Sequence, residues 1–207
     1  VFSVSVLVCV FSLAGIAEAK PKIYLMRGLA NVFSLGMDEL ATKLRRLGYS
    51  ATVTNHAGVD ELAAQAARAY KSDGGQPVVV IGHSYGADAT ATMAARLKSA
   101  GVPVALLVAF GPSAHETVPS NVARAIVYRQ SNGLWNATFR AGPGFHGSLS
   151  NIDLAKDDGI THFNIEKSPR LQAAVIAAIR GLHSNETSDG AASSKASSTA
   201  ASAAESH

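Results

Sequence analysis

Gly82-His83-Ser84-Tyr85-Gly86 is where residue types and spacing in this chain point to chemistry. A serine with a glycine two residues to either side sits on a turn too tight for side chains on both flanks. The run before it, Val78-Val79-Val80-Ile81, is short, apolar and unbroken, as a strand buried on both faces would be. The run after it repeats Ala89, Met93, Ala94 and Leu97 at helical spacing, which predicts a helix over 87–100. A strand, a tight turn and a helix together lift the serine Oγ off the sheet and set it at a helix N-terminus. The backbone N–H groups there can hold an oxyanion. The chemistry such a hydroxyl does is attack on an acyl carbonyl. The plainer alternative, a glycine-flanked turn with a surface serine, lacks the flanking strand and helix seen here.

A serine hydroxyl needs a base, usually a histidine held by a carboxylate. In the order serine, acid, histidine, the base comes last. His162 fits: it lies in Gly159-Ile160-Thr161-His162-Phe163, after the last predicted strand and before the closing helix. His83 belongs to the elbow and is read as packing. His56 precedes the serine, His115 follows a strand, and His146 lies in an irregular loop. His183 and His207 belong to the end of the closing helix and the tail. Asp153, at the end of the last strand, keeps the order and is the expected acid. Asp157 and Asp158, close to His162, are alternatives whose plainer role is a solvated turn. Asp88, on the elbow helix, reads as a surface or capping charge. A serine–histidine dyad, with a carbonyl or a water in place of the acid, is the remaining arrangement. The oxyanion hole is expected from the N–H of Tyr85 and a second N–H in Arg27-Gly28-Leu29-Ala30-Asn31. Leu29 is the expected donor there and Gly28 the alternative, with Asn31 and Ser34 as side-chain helpers.

These residues must be positioned by alternating strands and helices. Strands are predicted over 23–26, 49–54, 78–81, 104–110, 125–128 and 148–154. Helices are predicted over 37–47, 59–70, 87–100 and 171–182. In the first helix Leu40, Leu44 and Leu47 share a face, and Gly48 stops it; Ser168-Pro169 starts the last. The alternation predicts an α/β protein: a three-layer α/β/α sandwich with a mostly parallel central sheet. Residues 129–147 form the long irregular insertion. Its Leu134, Trp135, Phe139 and Phe145 either line an acyl or alkyl pocket or pack the loop down.

The ends of the 207-residue chain read differently from its middle. Residues 1–16 are almost wholly apolar and lead to Ala17-Glu18-Ala19, the pattern of a secretory signal peptide cut before Lys20. Residues 184–207 are Ala/Ser-rich with no large apolar side chain, so a disordered tail is expected. Residues 20–183 are then one domain, minimal and with no lid domain. The single cysteine, Cys9, lies in the leader, which excludes a cysteine nucleophile and cysteine-ligated metals from the rest. Net charge is +3, and +4 without Glu18; Lys and Arg are scattered, so nucleic-acid binding has no footprint. An exported protein, periplasmic or secreted, is expected, with no stable membrane anchor once the leader is removed.

The chain resembles the small bacterial α/β-hydrolases of the lipase/thioesterase-like type from residue 23 to about 179. The marks are Arg27-Gly28-Leu29, the Gly82–Gly86 elbow, and Thr161-His162-Phe163-Asn164-Ile165. The resemblance implies the α/β-hydrolase fold and a Ser84–His162–acid triad. It implies hydrolysis of small-molecule acyl esters or thioesters, with no cofactor or metal. Relatives often carry an aspartate after the strand that follows the elbow helix; Gly111 stands there instead. Two other readings share the scaffold: an acyltransferase or peptidase, and a non-catalytic binding protein, which Gly111 favours.

Overall fold

In the computed structural model, residues 20–29, 34–133 and 135–182 are described. The segments expected to be a signal peptide (1–19) and a disordered tail (184–207), with Asn31, Leu134 and His183, lie outside them. Six strands form one sheet: β1 (Lys22–Arg27), β2 (Ser50–Asn55), β3 (Val78–His83), β4 (Leu106–Phe110), β6 (Arg124–Arg129) and β8 (Ser148–Asp153). Their order is β2-β1-β3-β4-β6-β8, and every neighbouring pair is parallel. The helices are α1 (Leu35–Arg46), α2 (Val59–Ser72), α3 (Tyr85–Ser99) and α4 (169–182).

The period of two along each strand sorts the core into two faces. Ile23, Leu25, Val79, Ile81, Leu106, Val108, Phe110, Ile126 and Tyr128 point to one side. There they meet Leu40 and Leu44 of α1 and Leu171, Val175 and Ile179 of α4. Tyr24, Met26, Val78, Val80, Leu107, Ala109, Ala125 and Val127 point to the other, against Leu62 and Ala66 of α2 and Met93 and Leu97 of α3. This is the expected three-layer sandwich. Its central strands are apolar on both faces because both are covered.

Three local expectations are corrected. β4 begins at Leu106; Val104, placed in that strand from the sequence, makes only an isolated bridge to Val122. α3 begins at Tyr85, directly after the serine, and not at residue 87. The insertion is not wholly irregular: β7 (Phe139–Ala141) pairs in parallel with β5 (Glu116–Val118) as a small second sheet. Three-residue strands carry too little periodicity to be read in advance.

The chain leaves β1 toward α1 on one face and leaves β3 toward α3 on the other. Between the carboxyl ends of β1 and β3 there is therefore a topological switch point, the place where open α/β sheets bind ligands. Gly28 ends one strand there and Ser84 the other.

Candidate active site

Ser84 has φ 58° and ψ −126°, and it is the only non-glycine with positive φ among the described residues. The two glycines that bracket it are dictated by contact. A Cβ on Gly82 would lie 1.9 Å from the Gly86 carbonyl oxygen, and one on Gly86 would lie 2.2 Å from the Met26 carbonyl oxygen. No side chain survives such distances, so the turn closes only with glycine at both positions. The Ser84 N–H donates to the Phe110 carbonyl (2.9 Å), tying the elbow to the end of β4.

The structure brings His162 to this serine from 78 residues away: its Nε2 lies 3.1 Å from Ser84 Oγ. The imidazole is buried among rings. Trp135 stacks on it (centroids 3.9 Å apart, planes at 12°), Phe163 meets it edge-on (5.4 Å, 83°), and His83 tilts against it (5.0 Å, 36°). Burial, and then the neighbouring His83, push its pKa down to about 4. Its other nitrogen, Nδ1, is buried with no hydrogen-bond partner.

The expected acid does not reach that nitrogen, and the assignment of Asp153 as its partner is corrected on geometry. One Asp153 oxygen accepts the N–H groups of Ser131 (3.0 Å) and Ala155 (3.0 Å), and the other faces Arg129 (3.4 Å). These donors, Ser131 first, hold its pKa below the usual carboxylate range. The reason lies in the strand order. Asp153 ends the edge strand β8, three strands from β3, which is roughly 14 Å at normal strand spacing. Asp157 pairs with Arg170 (2.7 Å). Asp88 accepts the N–H groups of Ser113 (2.9 Å) and Ala114 (3.1 Å), fastening the loop after β4 to α3; burial raises its pKa. At Nδ1 the structure places Gly111, where a Cβ would stand 2.8 Å away.

His83, read from the sequence as packing, is a buried crosslink. Its Nε2 contacts the His162 carbonyl oxygen at 2.8 Å and its Nδ1 the Ser34 Oγ at 2.8 Å. A carbonyl only accepts, so Nε2 carries the proton and the Ser34 hydroxyl donates to Nδ1. Burial first lowers the His83 pKa to about 4, in keeping with a neutral ring. Ser34 Oγ in turn accepts the Gly28 N–H (3.0 Å), so that N–H is already engaged. Gly28 also packs against the serine, since a Cβ there would lie 2.9 Å from Ser84 Cβ. Of the two candidate donors on this loop, Leu29 remains; it and Tyr85, at the head of α3, line the same cavity.

Leu29, Ser34, His83, Ser84, Tyr85, Trp135, His162 and Phe163 line a cavity of about 200 Å³. Leu29, Tyr85 and Phe163 are exposed at its mouth. Among the described residues no three His, Cys, Asp or Glu side chains are grouped to hold a metal ion. A base beside a hydroxyl, on an apolar cavity, with N–H groups at a helix start, can do acyl chemistry.

The thioesterase domain family matches residues 37–141, a span that includes the elbow and Gly111 and ends before His162. No curated protein matches the sequence. Among solved structures, the chain is similar to the type II thioesterase BorB from the borrelidin biosynthetic cluster: 13% identity, TM-score 0.45, 77% of this chain and 93% of that one. It is similar to a cutinase-like protein from Cryptococcus sp. (15% identity, TM-score 0.48, covering 79% and 97%). It is also similar to a putative α/β-superfamily hydrolase from Xanthomonas campestris pv. campestris (17% identity, TM-score 0.39, covering 81% and 98%). Since the family match takes in just over half of the 207 residues, with the serine elbow inside it, the chain belongs to the thioesterase domain family and is a small α/β hydrolase acting on ester or thioester bonds.

Proposed function

We propose that this protein is an exported serine hydrolase that cleaves acyl esters or thioesters with Ser84 as nucleophile and His162 as base, and with no carboxylate on the base. The observation that carries the reading is the 3.1 Å approach of Nε2 to Oγ on the wall of an apolar cavity. Oγ bonds to the acyl carbon as its proton passes to Nε2. The N–H groups of Tyr85 and Leu29 face the oxygen that becomes negative. Collapse of the tetrahedral species breaks the C–O or C–S bond, and His162 returns the proton to the leaving group. Water repeats the two steps and releases the acid.

The bare Nδ1 sets the expected rate. To accept the serine proton at Nε2, the neutral ring must carry its own proton on Nδ1, where nothing accepts it. In the serine–histidine–aspartate template, loss of the acid's tautomer control costs about 10⁴ in kcat. A slow enzyme is expected, with acyl transfer to water as its reaction.

A fluorophosphonate probe tests the reading, because it bonds only to an activated serine. The native protein should label; Ser84→Ala should not label at all, and His162→Gln should label far more slowly. Absence of labelling in the native protein would replace this reading with the binding-protein reading that Gly111 favours. Adding an amine or alcohol acceptor to an ester assay separates hydrolysis from acyl transfer. Export is supported by the apolar run 1–16 and Ala17-Glu18-Ala19. Mass spectrometry of the protein recovered outside the cytoplasm should find an N-terminus at Lys20.

A further inference from the structure

We propose that Trp135 is the positioning residue of this site, its indole face serving the base where a carboxylate would otherwise do so. The proposal rests on the serine hydrolase reading above. Nδ1 of His162 has no hydrogen-bond partner, and the edge it presents is closed by Gly111, where a Cβ would already stand at 2.8 Å. What fixes the ring is packing. The indole lies flat on it at 3.9 Å and 12°, while Phe163 stands edge-on. These two contacts set the plane in which Nε2 faces Ser84 Oγ. The indole itself is carried by the insertion, which is pinned in two places. The Asn151 side chain bonds the backbone N–H and C=O of Phe139 (3.0 and 2.9 Å), and the Thr138 N–H donates to His115 Nδ1 (3.1 Å).

The stack has a chemical consequence. When Oγ bonds to the acyl carbon, its proton moves to Nε2 and the ring becomes a cation. That cation then lies on the negative face of an indole, the strongest of the aromatic partners, in a site walled by apolar rings. When the C–O or C–S bond breaks, the proton leaves with the leaving group and the ring is neutral again. The attraction therefore grows as charge develops and fades as it is lost, which is the differential binding that accelerates a step. Among the described residues, the titratable groups near the ring include His83 at the end of β3, Tyr85 on the same cavity, and Glu166 and Lys167 beyond the base; Glu166 Oε2 lies 3.6 Å from His83 Nε2 and its Oε1 3.8 Å from Lys167 Nζ.

The chain contains a single tryptophan, so growth on fluorinated tryptophans changes position 135 and nothing else. Fluorine weakens the ring's negative face while nearly conserving its shape. Across a series from unlabelled to trifluorinated indole, kcat on a p-nitrophenyl ester should fall about tenfold with KM unchanged. The His162 pKa, followed by its imidazole proton resonances, should move down in step. Trp135→Phe should keep more of kcat than Trp135→Leu. A kcat and a pKa that ignore fluorination would overturn the proposal, since a ring that only fills space would not report its electronics. The pKa needs no turnover. A shift in a protein that turns nothing over would uphold the stack and remove the hydrolase reading. Turnover with neither response would do the reverse.

Discussion

The glycines Gly28, Gly82, Gly86 and Gly111 of this site are each constrained by an atom they nearly touch, and Gly111 shows how far that reaches. It has φ +53°, and its missing side chain leaves room for the edge of the base. Gly101 has a similar conformation, φ +73°, with nothing within 4 Å of a Cβ. The pair separates strain from contact. Alanine at either position should cost about 1–2 kcal/mol of stability, the ordinary penalty of a left-handed L-residue. Only Gly111→Ala should also displace the imidazole, and a misplacement near 1 Å costs about 100-fold in rate. Urea unfolding and fluorophosphonate labelling of the two variants measure the two effects. Equal labelling by both would mean that Gly111 does not hold the base. Residue identity alone revealed the serine, because two glycines and a neighbouring strand and helix leave one geometry. It did not reveal the crosslink through His83, whose partners, the Ser34 hydroxyl and the His162 carbonyl, lie 49 and 79 residues away.

At the scale of elements, the elbow was legible and the acid was not, for a reason in the sheet. A turn between consecutive elements is fixed locally. The reach of a residue at a strand end depends on where that strand sits, and no periodicity tells that β8 is an edge. His162 rides a loop and can cross the ends of β6 and β4; Asp153, at the strand's last position, cannot. The short 3-10 helix Ile165–Lys167 that follows the base carries Glu166, which is fully buried and whose carboxylate oxygens have no hydrogen-bond partner. Burial first raises its pKa from 4.5 to about 7. A carboxyl with a raised folded pKa makes its contribution below the unfolded value and loses it as pH rises through the folded one. Glu166 should therefore cost stability that builds between about pH 4.5 and 7, to about 3 kcal/mol by pH 8. His83 and His162, with pKa values lowered to about 4, act in the opposite sense: their contribution is present above about 6.5 and lost as pH falls through 4. Glu166→Gln removes only the first effect. Its urea midpoint should exceed that of the parent at pH 8 and match it near pH 4.5. A Gln variant equally destabilised at both pH values would show that the carboxyl is needed for packing and carries no titration cost.

For the whole molecule, the two core faces differ in what they set. The α1/α4 face is built from long side chains such as Leu40, Leu44, Leu106 and Phe110. The α2/α3 face is rich in alanine, with Ala63, Ala66, Ala87, Ala91 and Ala94 among its buried residues. Small side chains let α3 lie close on the sheet, and so its first turn presses Gly86 onto the Met26 carbonyl and aims Ser84 at the switch point. The alternation of strand and helix made this architecture legible, because buried strands and amphipathic helices repeat over enough residues to average out local accidents. The insertion was not, since its placement rests on β5–β7 and on side-chain bonds from Asn151 and His115. Among the described residues, both core faces, with the side chains packed on them, fall between Ile23 and Leu182. Spans of that length are within the size range in which single domains stand without disulfides. A chain of residues 20–182 should melt within about 3 °C of the full chain, about the shift that a loss of 1 kcal/mol produces at this size. It should also label at Ser84 at the same rate. A melting point lower by 10 °C, or slower labelling, would mean that residues 1–19 or 183–207 pack on the rest and take part in holding its site.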